Sequence, residues 1–467
     1  MKILLIRPDS MIPSAAPPLG LLYLTSYLRE YSGHQVEVVD GRYHEYSFDQ
    51  WEEILRDRQP DVVGISAMSV EVGEVKEIAK RSRRAVPQAI FVVGGPYSTS
   101  NYEQALTDEN IDYCVLGEGE RTFHQLLNAL EQKEDWRHIP QIAYRDNGEV
   151  KITGDMQFID ALDELPFPAY NVLDLEKYFN YRKAGKRTSS NQHQMKKRVL
   201  PIQTSRGCPF RCNYCHNLFG KKLRYRSIEN VLAELREFKE KHGVEEVEIL
   251  DDTFNVDLDR AKEIFRRIIA EKFDFKISFT NGLRADRFDD ELLDLFKEAG
   301  VYRMVVAIES ANPRIQKQIR KNVNLEKAMV NIKNACSRNF SVGAFFMIGF
   351  EDETEEEVWN TIKFAVDSPL HTATFSIMTP FPNTDVWHDL KARGYDLSSD
   401  PKHFSRVSLN VSKVPTERLE ELRKIAYKKF YLDPRRVISI LRTTPWRDRF
   451  FEKIIILFGI VFFNYEK

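Results

Sequence analysis

The sequence has few cysteines, almost no net charge and no long uninterrupted apolar segment. Five cysteines in 467 residues are too few for a disulfide scaffold, and their odd number favours a reducing cytoplasm. A net charge of −2 lacks the basic excess typical of nucleic-acid-binding proteins. No stretch approaches the ~20 apolar residues that a membrane-spanning helix needs. We therefore expect a soluble cytoplasmic protein, too long for one core and without a nucleic-acid partner.

The first part of the chain, residues 1–135, alternates short apolar runs with amphipathic segments. The opening run MKILLI is cut off by Arg7, Pro8 and Asp9, so we expect a buried strand rather than a signal peptide. Such βα repetition predicts a doubly wound, flavodoxin- or Rossmann-like parallel sheet with its ligand at the carboxyl ends of the strands. The predicted strands are Ile3–Ile6, Val36–Val39, Val62–Ser66, Ile90–Val93 and Tyr113–Leu116.

A different composition marks residues 136–198, which we interpret as a linker. It contains LDELPFPAY and then the basic tract RKAGKRTSSNQHQMKKR at 182–198, which has no apolar period and predicts a mobile loop or a substrate flap. A second βα series over 199–395 predicts a partial (β/α)6 barrel, and 396–467 predicts a helical, basic and apolar extension. The barrel strands are predicted at Leu200–Thr204, Val247–Leu250, Ile277–Thr280, Arg303–Ile308, Val342–Ile348 and Thr374–Met378.

Three of the five cysteines, Cys208, Cys212 and Cys215, follow the first barrel strand at C-x3-C-x2-C spacing. Four thiolates normally complete a zinc site or an iron–sulfur cube, and no fourth cysteine is nearby. Three protein ligands on a [4Fe–4S] cluster would leave one iron for a ligand that is not protein. The alternatives are a Cys3His zinc site with His216, or three unrelated core cysteines.

At these residues the sequence resembles the radical SAM superfamily, with Tyr214 as the aromatic residue before the last cysteine. The resemblance continues through polar motifs that close the later barrel strands. It implies three cluster ligands, Cys208, Cys212 and Cys215, and S-adenosylmethionine contacts at Tyr214, Asp251, Asp252, Arg284, Glu309, Ser310 and Gly349. The motifs are LDDTF (250–254), NGLRAD (281–286), VAIESANP (306–313), FFMIGFEDET (345–354) and MTPFPNT (378–384).

The resemblance also implies the chemistry. An electron from an external donor of the flavodoxin or ferredoxin type reduces the cluster, S-adenosylmethionine on the open iron is cleaved, and the resulting 5′-deoxyadenosyl radical abstracts hydrogen from a carbon. The protein's share is to position the reactants and to set the cluster potential.

The first domain resembles the cobalamin-binding (B12-binding) domain of a subclass of these enzymes. The resemblance assigns cobalamin contacts to Ser66, Met68, Gly94, Gly95, Gly117 and Glu118. The first βα loop, RPDSMIPSAAPPLG, departs from the family pattern because it has no cobalt-ligating histidine, and we expect His44 to be a surface residue. Bound cobalamin would then have no histidine on its lower face. The alternative is a domain that no longer binds a corrin.

The C-terminal segment suggests a membrane surface. Residues 413–467 hold thirteen Lys and Arg against seven Asp and Glu, and Ile454–Phe463 is an apolar run between Trp446 and Tyr465. Such a segment can lie in a bilayer interface or dock on the barrel as a helix. The first reading predicts peripheral membrane contact and a lipid-like substrate.

The function expected from these features is cobalamin-dependent methylation of an unactivated carbon, on an apolar or lipid-like small molecule. A second candidate is a ring-forming radical SAM enzyme that acts on a porphyrin-like substrate, similar in layout to the anaerobic magnesium-protoporphyrin monomethyl ester cyclase. A third candidate is a zinc-stabilised nucleotide-binding module. A tRNA-modifying enzyme would need an RNA-binding domain, which the sequence does not indicate.

Overall fold

A computed structural model describes residues 1–10, 16–180, 194–216, 218–397, 407 and 409–443. Contacts divide the chain into two compact units. The first unit comprises Met1–Asn191 and His216–Gly220, and the second comprises Gln192–Cys215 and Lys221–Lys467. The short segment after the third cluster cysteine therefore belongs to the first unit. Its Gly220, with φ +78°, lies against the ring of Phe158, which an added Cβ would meet at 2.7 Å.

The first unit carries a seven-stranded sheet in the order β2-β1-β3-β4-β5-β6-β7. Strands β1 to β5 are parallel, as predicted, and β6 and β7 are antiparallel. The strands are β1 (Lys2–Arg7), β2 (Gln35–Asp40), β3 (Val62–Ser66), β4 (Ile90–Gly94), β5 (Tyr113–Val115), β6 (Ile142–Asp146) and β7 (Glu149–Thr153). The helices are α1 (Leu19–Tyr31), α2 (Gly41–His44), α3 (Phe48–Arg58), α4 (Val72–Ala85), α5 (Gly95–Ala105), α6 (Gly119–Gln132) and α7 (Leu175–Phe179).

Alternation along the first strand shows why this sheet is covered on both faces. Leu4 and Ile6 lie in one buried cluster, whereas Ile3 and Leu5 lie in another on the opposite face. Successive side chains of a strand point to opposite faces, so a continuous apolar run needs helices on both sides. The doubly wound sheet predicted from the sequence is confirmed.

The hairpin of β6 and β7 corrects the linker interpretation for residues 142–153. These strands pair directly and extend the sheet beyond β5. Their turn is formed by Asn147 at φ 51° and Gly148 at φ 87°, the left-handed pair that a two-residue hairpin loop requires. The Asn-Gly signal was present in the sequence, between short strands with little apolar character. Residues 181–193 of the basic tract lie outside the described residues.

The second unit is built on six parallel strands in the order β15-β14-β13-β12-β11-β8, which confirms the partial barrel. Its strands are β8 (Val199–Ile202), β9 (Ser205–Arg206), β10 (Arg224–Tyr225), β11 (Glu246–Ile249), β12 (Lys276–Leu283), β13 (Val301–Glu309), β14 (Ser341–Ile348) and β15 (Thr372–Ile377), with β9 and β10 forming a separate antiparallel pair. Its helices are α8 (Ile228–His242), α9 (Leu258–Ala270), α10 (Asp290–Glu298), α11 (Pro313–Gln318), α12 (Leu325–Ser337), α13 (Glu355–Asp367), α14 (Asp385–Ala392), α15 (Thr416–Tyr431) and α16 (Pro434–Thr443).

Aromatic side chains join the barrel strands to the outer helices. The ring of Phe279 on β12 lies 5.1 Å from that of Phe296 on α10 and 6.2 Å from that of Phe265 on α9. Helix starts are fixed by polar caps; for example, Ser227 and Asp257 accept backbone N–H bonds at the starts of α8 and α9. The outer layer therefore follows directly from strand alternation and helix capping.

The C-terminal extension is helical where it is described, through α15 and α16. None of the described helices is both long and apolar enough to span a bilayer. The interfacial segment expected at Ile454–Phe463, with Trp446 and Tyr465, lies outside the described residues.

Candidate functional site

The three cluster cysteines lie in the loop that follows β8. Cys208 and Cys212 are partly buried and Cys215 is exposed, and none of the chain's five cysteines, all within the described ranges, is disulfide-bonded. The Sγ of Cys208 lies 3.4 Å from Oγ1 of Thr253, at the end of the neighbouring β11. The loop therefore presents three thiols at the carboxyl end of the barrel sheet.

The spacing of these thiols is compatible with a cluster. Within the described part of the chain, no group of three or more His, Cys, Asp or Glu side chains forms a site for a single metal ion. In an iron–sulfur cube each cysteine binds a different iron, so the donors need not meet at one point. Three unbridged thiols on one loop fit the cluster.

Asp251 anchors the start of this loop. Its Oδ1 accepts the backbone N–H of Thr204 at 2.6 Å, and its Oδ2 accepts the hydroxyls of Thr204 at 2.6 Å and Ser205 at 2.5 Å. The side chain is buried. Both oxygens of the predicted S-adenosylmethionine contact Asp251 therefore accept bonds within the protein, and in this structure Asp251 positions the cysteine loop.

Asp252 lies beside Asp251 and accepts fewer hydrogen bonds from the cysteine loop. One carboxylate oxygen accepts the backbone N–H of Gly207, just before the first cluster cysteine, at 3.2 Å. Burial raises the pKa of Asp252 to about 6, and the charge of Asp251 adds to the effect. The carboxyl group is partly exposed at the carboxyl end of β11, where it remains a candidate contact for the methionyl amino group.

Arg284 takes a role that the sequence analysis did not give it. Its guanidinium donates to the backbone oxygens of Lys321 at 2.7 Å and Asn322 at 2.8 Å, and it pairs with Asp286 at 3.0 Å. It also lies over the ring of Phe210 in the cysteine loop, 4.1 Å from the centroid. These contacts use three of the five N–H donors of Arg284, and through them the side chain connects two loops.

Glu309 ends β13 in a strained position. Its φ is 66°, rare for a residue other than glycine, and the pairing of β13 with β14 shifts register between Ala307 and Glu309. Its Oε1 accepts a bond from Nζ of Lys321 at 2.9 Å, and the same ammonium lies 3.3 Å from the hydroxyl of Tyr214. Strained backbone held by its surroundings is typical of functional sites.

Lys321 is a residue of this site that the sequence did not indicate. It follows α11 in a short polar turn, twelve positions after Glu309, and no periodic pattern marks it. The structure brings its ammonium between the predicted Tyr214 and Glu309, both partly or fully buried. The three side chains offer both signs of charge at the end of β13, as a zwitterionic methionyl group requires.

Two further predicted contacts, Ser310 and Gly349, already have hydrogen-bond partners within the protein. Ser310 is fully buried, and its hydroxyl bonds Thr361 on α13 at 3.3 Å and the backbone N–H of Asn312 at 3.3 Å. Gly349 has φ 86°, and its backbone N–H donates to Oε2 of Glu353 at 2.6 Å. The sequence indicated that both close strands, but not that neighbours already satisfy their polar groups.

The predicted cobalamin residues follow β3, β4 and β5 of the first unit. Gly95 has φ 82°, and an added Cβ would lie 2.7 Å from Oγ of Ser66. At Gly94 an added Cβ would meet only the backbone oxygen of Ile65, at 3.9 Å, so a side chain would fill open space beside the strand end. Met68 donates its backbone N–H to Glu71. This edge is a cradle that larger side chains would fill, which fits a bound corrin nucleotide.

The last two predicted cobalamin residues differ from each other. Gly117 adopts φ 64°, and its backbone N–H donates to Oγ1 of Thr99 at 2.9 Å. Glu118 is buried, and its Oε2 accepts the backbone N–H of Ile159 at 2.7 Å. Its side chain therefore anchors the loop at Ile159 and is not exposed at the surface. His44 is exposed, with its ring stacked on Tyr46 at 4.9 Å, as expected of a surface residue.

A buried charge network closes the ends of β1 and β2, and the sequence analysis missed it. Arg7 pairs with Asp40, whose carboxylate also accepts the hydroxyl of Tyr178 at 2.6 Å. Beside it Arg42 pairs with Glu71. The residues lie at the position where the sheet order reverses, the usual ligand site of such sheets. The paired side chains therefore occupy the space at the carboxyl ends of β1 and β2.

Comparisons with known proteins identify the families of both parts of the chain. Residues 202–365 match the radical SAM superfamily and residues 11–127 match the B12 binding domain. An uncharacterized methyltransferase of Pyrococcus horikoshii is 33% identical over 453 residues, covering 94% of each chain. The cytidylyl-2-hydroxyethylphosphonate methyltransferase of Streptomyces wedmorensis is 29% identical over 447 residues, covering 84% of this chain and 82% of that protein.

Among solved structures, the cobalamin-dependent S-adenosylmethionine radical enzyme OxsB superposes with a TM-score of 0.73 at 18% identity, covering 98% of this chain and 75% of that chain. At this identity the likeness shows the fold. The chain belongs to the radical SAM superfamily and carries a B12-binding domain. Together with its methyltransferase relatives, these matches define a cobalamin-dependent radical SAM methyltransferase. Its cofactors are a [4Fe–4S] cluster, S-adenosylmethionine and cobalamin.

Proposed function

We propose that this enzyme methylates an unactivated carbon of a small-molecule substrate, and that it takes its electrons from an external flavodoxin or ferredoxin. One observation carries the proposal: a loop of three unbridged thiols lies in the same unit as the Glu309–Lys321 pair, and the other unit has an open glycine edge after β4. When bound, the cluster and S-adenosylmethionine supply hydrogen abstraction, and cobalamin supplies the methyl group.

The chain's own residues do the holding. Cys208, Cys212 and Cys215 would hold the cluster on a loop that Asp251 anchors at its start. Glu309 and Lys321 would bind the methionyl amino and carboxylate groups, since each offers the opposite charge. Arg284 keeps Lys321 in place through the backbone oxygen of that residue. Such hydrogen bonds hold Glu309 and Lys321 in place before the cofactor binds, as preorganised catalysis requires.

The glycine edge of the first unit would hold cobalamin. Gly94 leaves space beside the strand end, and Gly95 allows a turn that a side chain would block at Ser66. In the described part of the first βα loop there is no histidine, and the Arg7–Asp40 pair stands at the end of β1. We infer that the chain provides no histidine to the lower face of the corrin.

The substrate is proposed to be a small molecule. The lipid-like substrate and the membrane contact expected from the sequence rest on C-terminal residues outside the described ranges. The Streptomyces relative is named for a polar cytidylyl phosphonate, which supports methyl transfer onto a polar compound.

The decisive experiment is anaerobic reconstitution of the full chain with iron, sulfide, cobalamin, S-adenosylmethionine and a low-potential reductant. We expect 5′-deoxyadenosine from the radical step and S-adenosylhomocysteine from remethylation of cobalamin. Cys212→Ala removes a cluster ligand and should abolish 5′-deoxyadenosine. The matched control is Cys336→Ala, because Cys336 is also partly buried but lies on α12.

Three results would contradict the proposal. A colourless protein with one zinc would exclude the cluster. Formation of 5′-deoxyadenosine without S-adenosylhomocysteine, at saturating cobalamin and candidate substrate, would exclude methyl transfer. A product that has lost hydrogen without gaining a methyl unit would indicate ring formation of the cyclase type.

A further inference from the structure

The inner face of the partial barrel is unusually polar. The outer face is apolar: Phe279 and Phe346 contact aromatic rings on the outer helices. Residues of opposite parity must therefore point inward. Their polar members include Glu248, Thr280, Arg303 and Ser376, on β11, β12, β13 and β15. A barrel interior that serves only as a core is filled by Val, Ile and Leu, so this face is built to contact something polar.

Arg303 is the most informative residue of this inner face. It is partly buried on β13, one of the central strands. Across the described residues its guanidinium makes no hydrogen bond and no ion pair within 4.0 Å, although it carries five N–H donors. A charged group removed from bulk water without such partners is costly. The donors therefore face the barrel interior in need of acceptors.

The nearest carboxyl groups do not meet that need. Glu246 accepts the hydroxyl of Tyr302 at 2.6 Å and the backbone N–H groups of Met195 and Lys196 at 2.8 Å each. Burial raises the pKa of Glu246 to about 7 and also raises that of Glu248, which the charge of Arg303 lowers in part. Both carboxyl groups interact with Arg303 electrostatically, but among the described residues neither forms an ion pair with it within 4.0 Å, so its N–H donors are left for another acceptor.

We propose that Arg303 binds an anionic group of the substrate, a carboxylate, phosphate or phosphonate, inside the barrel. The proposal rests on the proposed function, whose substrate class it narrows. The position also limits length. Arg303 precedes Glu309 by six residues on the same strand, about 20 Å at 3.3 Å per residue. The substrate is therefore elongated, with its anionic end deep in the barrel and the carbon to be methylated toward the Glu309 end.

Binding of simple probes tests this without turnover. The full chain, reconstituted with cluster and cobalamin but without S-adenosylmethionine, is titrated with hexylphosphonate, heptanoate and 1-hexanol by calorimetry. We expect both anions to bind at least tenfold more tightly than the alcohol. Arg303→Gln should weaken the anions by about tenfold to a hundredfold, the range for hydrogen bonds to a charged group. The matched control Arg338→Gln, at the end of α12 in the outer layer, should bind as wild type does.

Arg303→Lys guards against misfolding, since it keeps the charge and loses the bidentate geometry; we expect intermediate affinity. The comparison of the three probes on the wild-type chain is independent of every variant. Equal affinity for hexanol and the anions, unchanged anion affinity in Arg303→Gln, or no binding of either anion would each overturn the proposal. These results leave 5′-deoxyadenosine and S-adenosylhomocysteine formation untouched, so failure of the anion site and failure of methyl transfer are distinguishable.

Discussion

Replacement of Asp251 by asparagine tests whether this residue anchors the cysteine loop or contacts S-adenosylmethionine. The wild-type carboxylate accepts three hydrogen bonds from Thr204 and Ser205 and is buried. Asparagine keeps the shape but has one acceptor oxygen, and its amide nitrogen would face donors. A hydrogen bond to a charged group contributes about 1.5–3 kcal/mol, so losing one or two should destabilise the second unit by about 2–4 kcal/mol.

The assay measures urea unfolding and iron content after anaerobic reconstitution. We expect Asp251→Asn to unfold at lower urea and to hold less iron, because the cysteine loop loses its attachment. The fraction that does carry a cluster should still show the change in its electron paramagnetic resonance spectrum when S-adenosylmethionine is added. The matched control is Asp257→Asn, an exposed N-cap of α9, where asparagine caps as well as aspartate.

One pattern of results would refute this reasoning. If Asp251→Asn keeps wild-type stability and iron content but its cluster no longer responds to S-adenosylmethionine, Asp251 is a cofactor contact. The assignment made from the sequence alone would then be right, and the three hydrogen bonds would not be what keeps the residue in place.

Three further predictions concern the other sites. Lys321→Met should raise the dissociation constant for S-adenosylmethionine at least tenfold with normal iron content, because Glu309 loses its partner; loss of iron instead would assign Lys321 to cluster assembly. Gly95→Ala should destabilise the first unit by about 1–3 kcal/mol and reduce bound cobalamin, and the added substitution Ser66→Ala should recover part of the stability, since Oγ is the clashing atom. Burial raises the pKa of Glu353 to about 8, so folded protein keeps a proton that unfolded protein releases, and wild-type stability falls from about pH 4.5 to about pH 8. Glu353→Gln has no such proton to lose. The free energy of unfolding of the variant, measured with urea, should therefore rise relative to that of the wild type by about 3 kcal/mol between pH 5.5 and pH 8. A difference between the two proteins that stays the same at both pH values would contradict the raised pKa.

The parallel βα architecture of both units follows from the apolar pattern, and the success of that prediction has a physical reason. Parallel sheets covered on both faces need apolar runs such as Ile3–Ile6, which few other structures produce. The β6–β7 hairpin was not predicted because its strands are half exposed and their apolar and polar residues alternate only weakly. There the turn pair Asn147-Gly148 was the better signal.

The cysteine loop could be predicted because its ligands are close in sequence. The roles of Asp251, Arg284 and Ser310 could not, since sequence shows that a polar residue ends a strand but not which backbone groups already occupy it. Lys321 was not predicted because it reaches the site from a turn that no sequence pattern marks. The sequence therefore predicts chemistry that depends on neighbouring residues, but not the hydrogen bonds that form between distant parts of the chain.

The assignment of His216–Gly220 to the first unit matters for protein engineering. A fragment that stops at residue 191 omits a piece of its own unit and leaves Phe158 without the backbone that packs on it at Gly220. Exchanging the corrin-binding half between relatives should therefore move both stretches together. A chimera joined only at the connecting segment would inherit a mismatched patch beside the ring of Phe158.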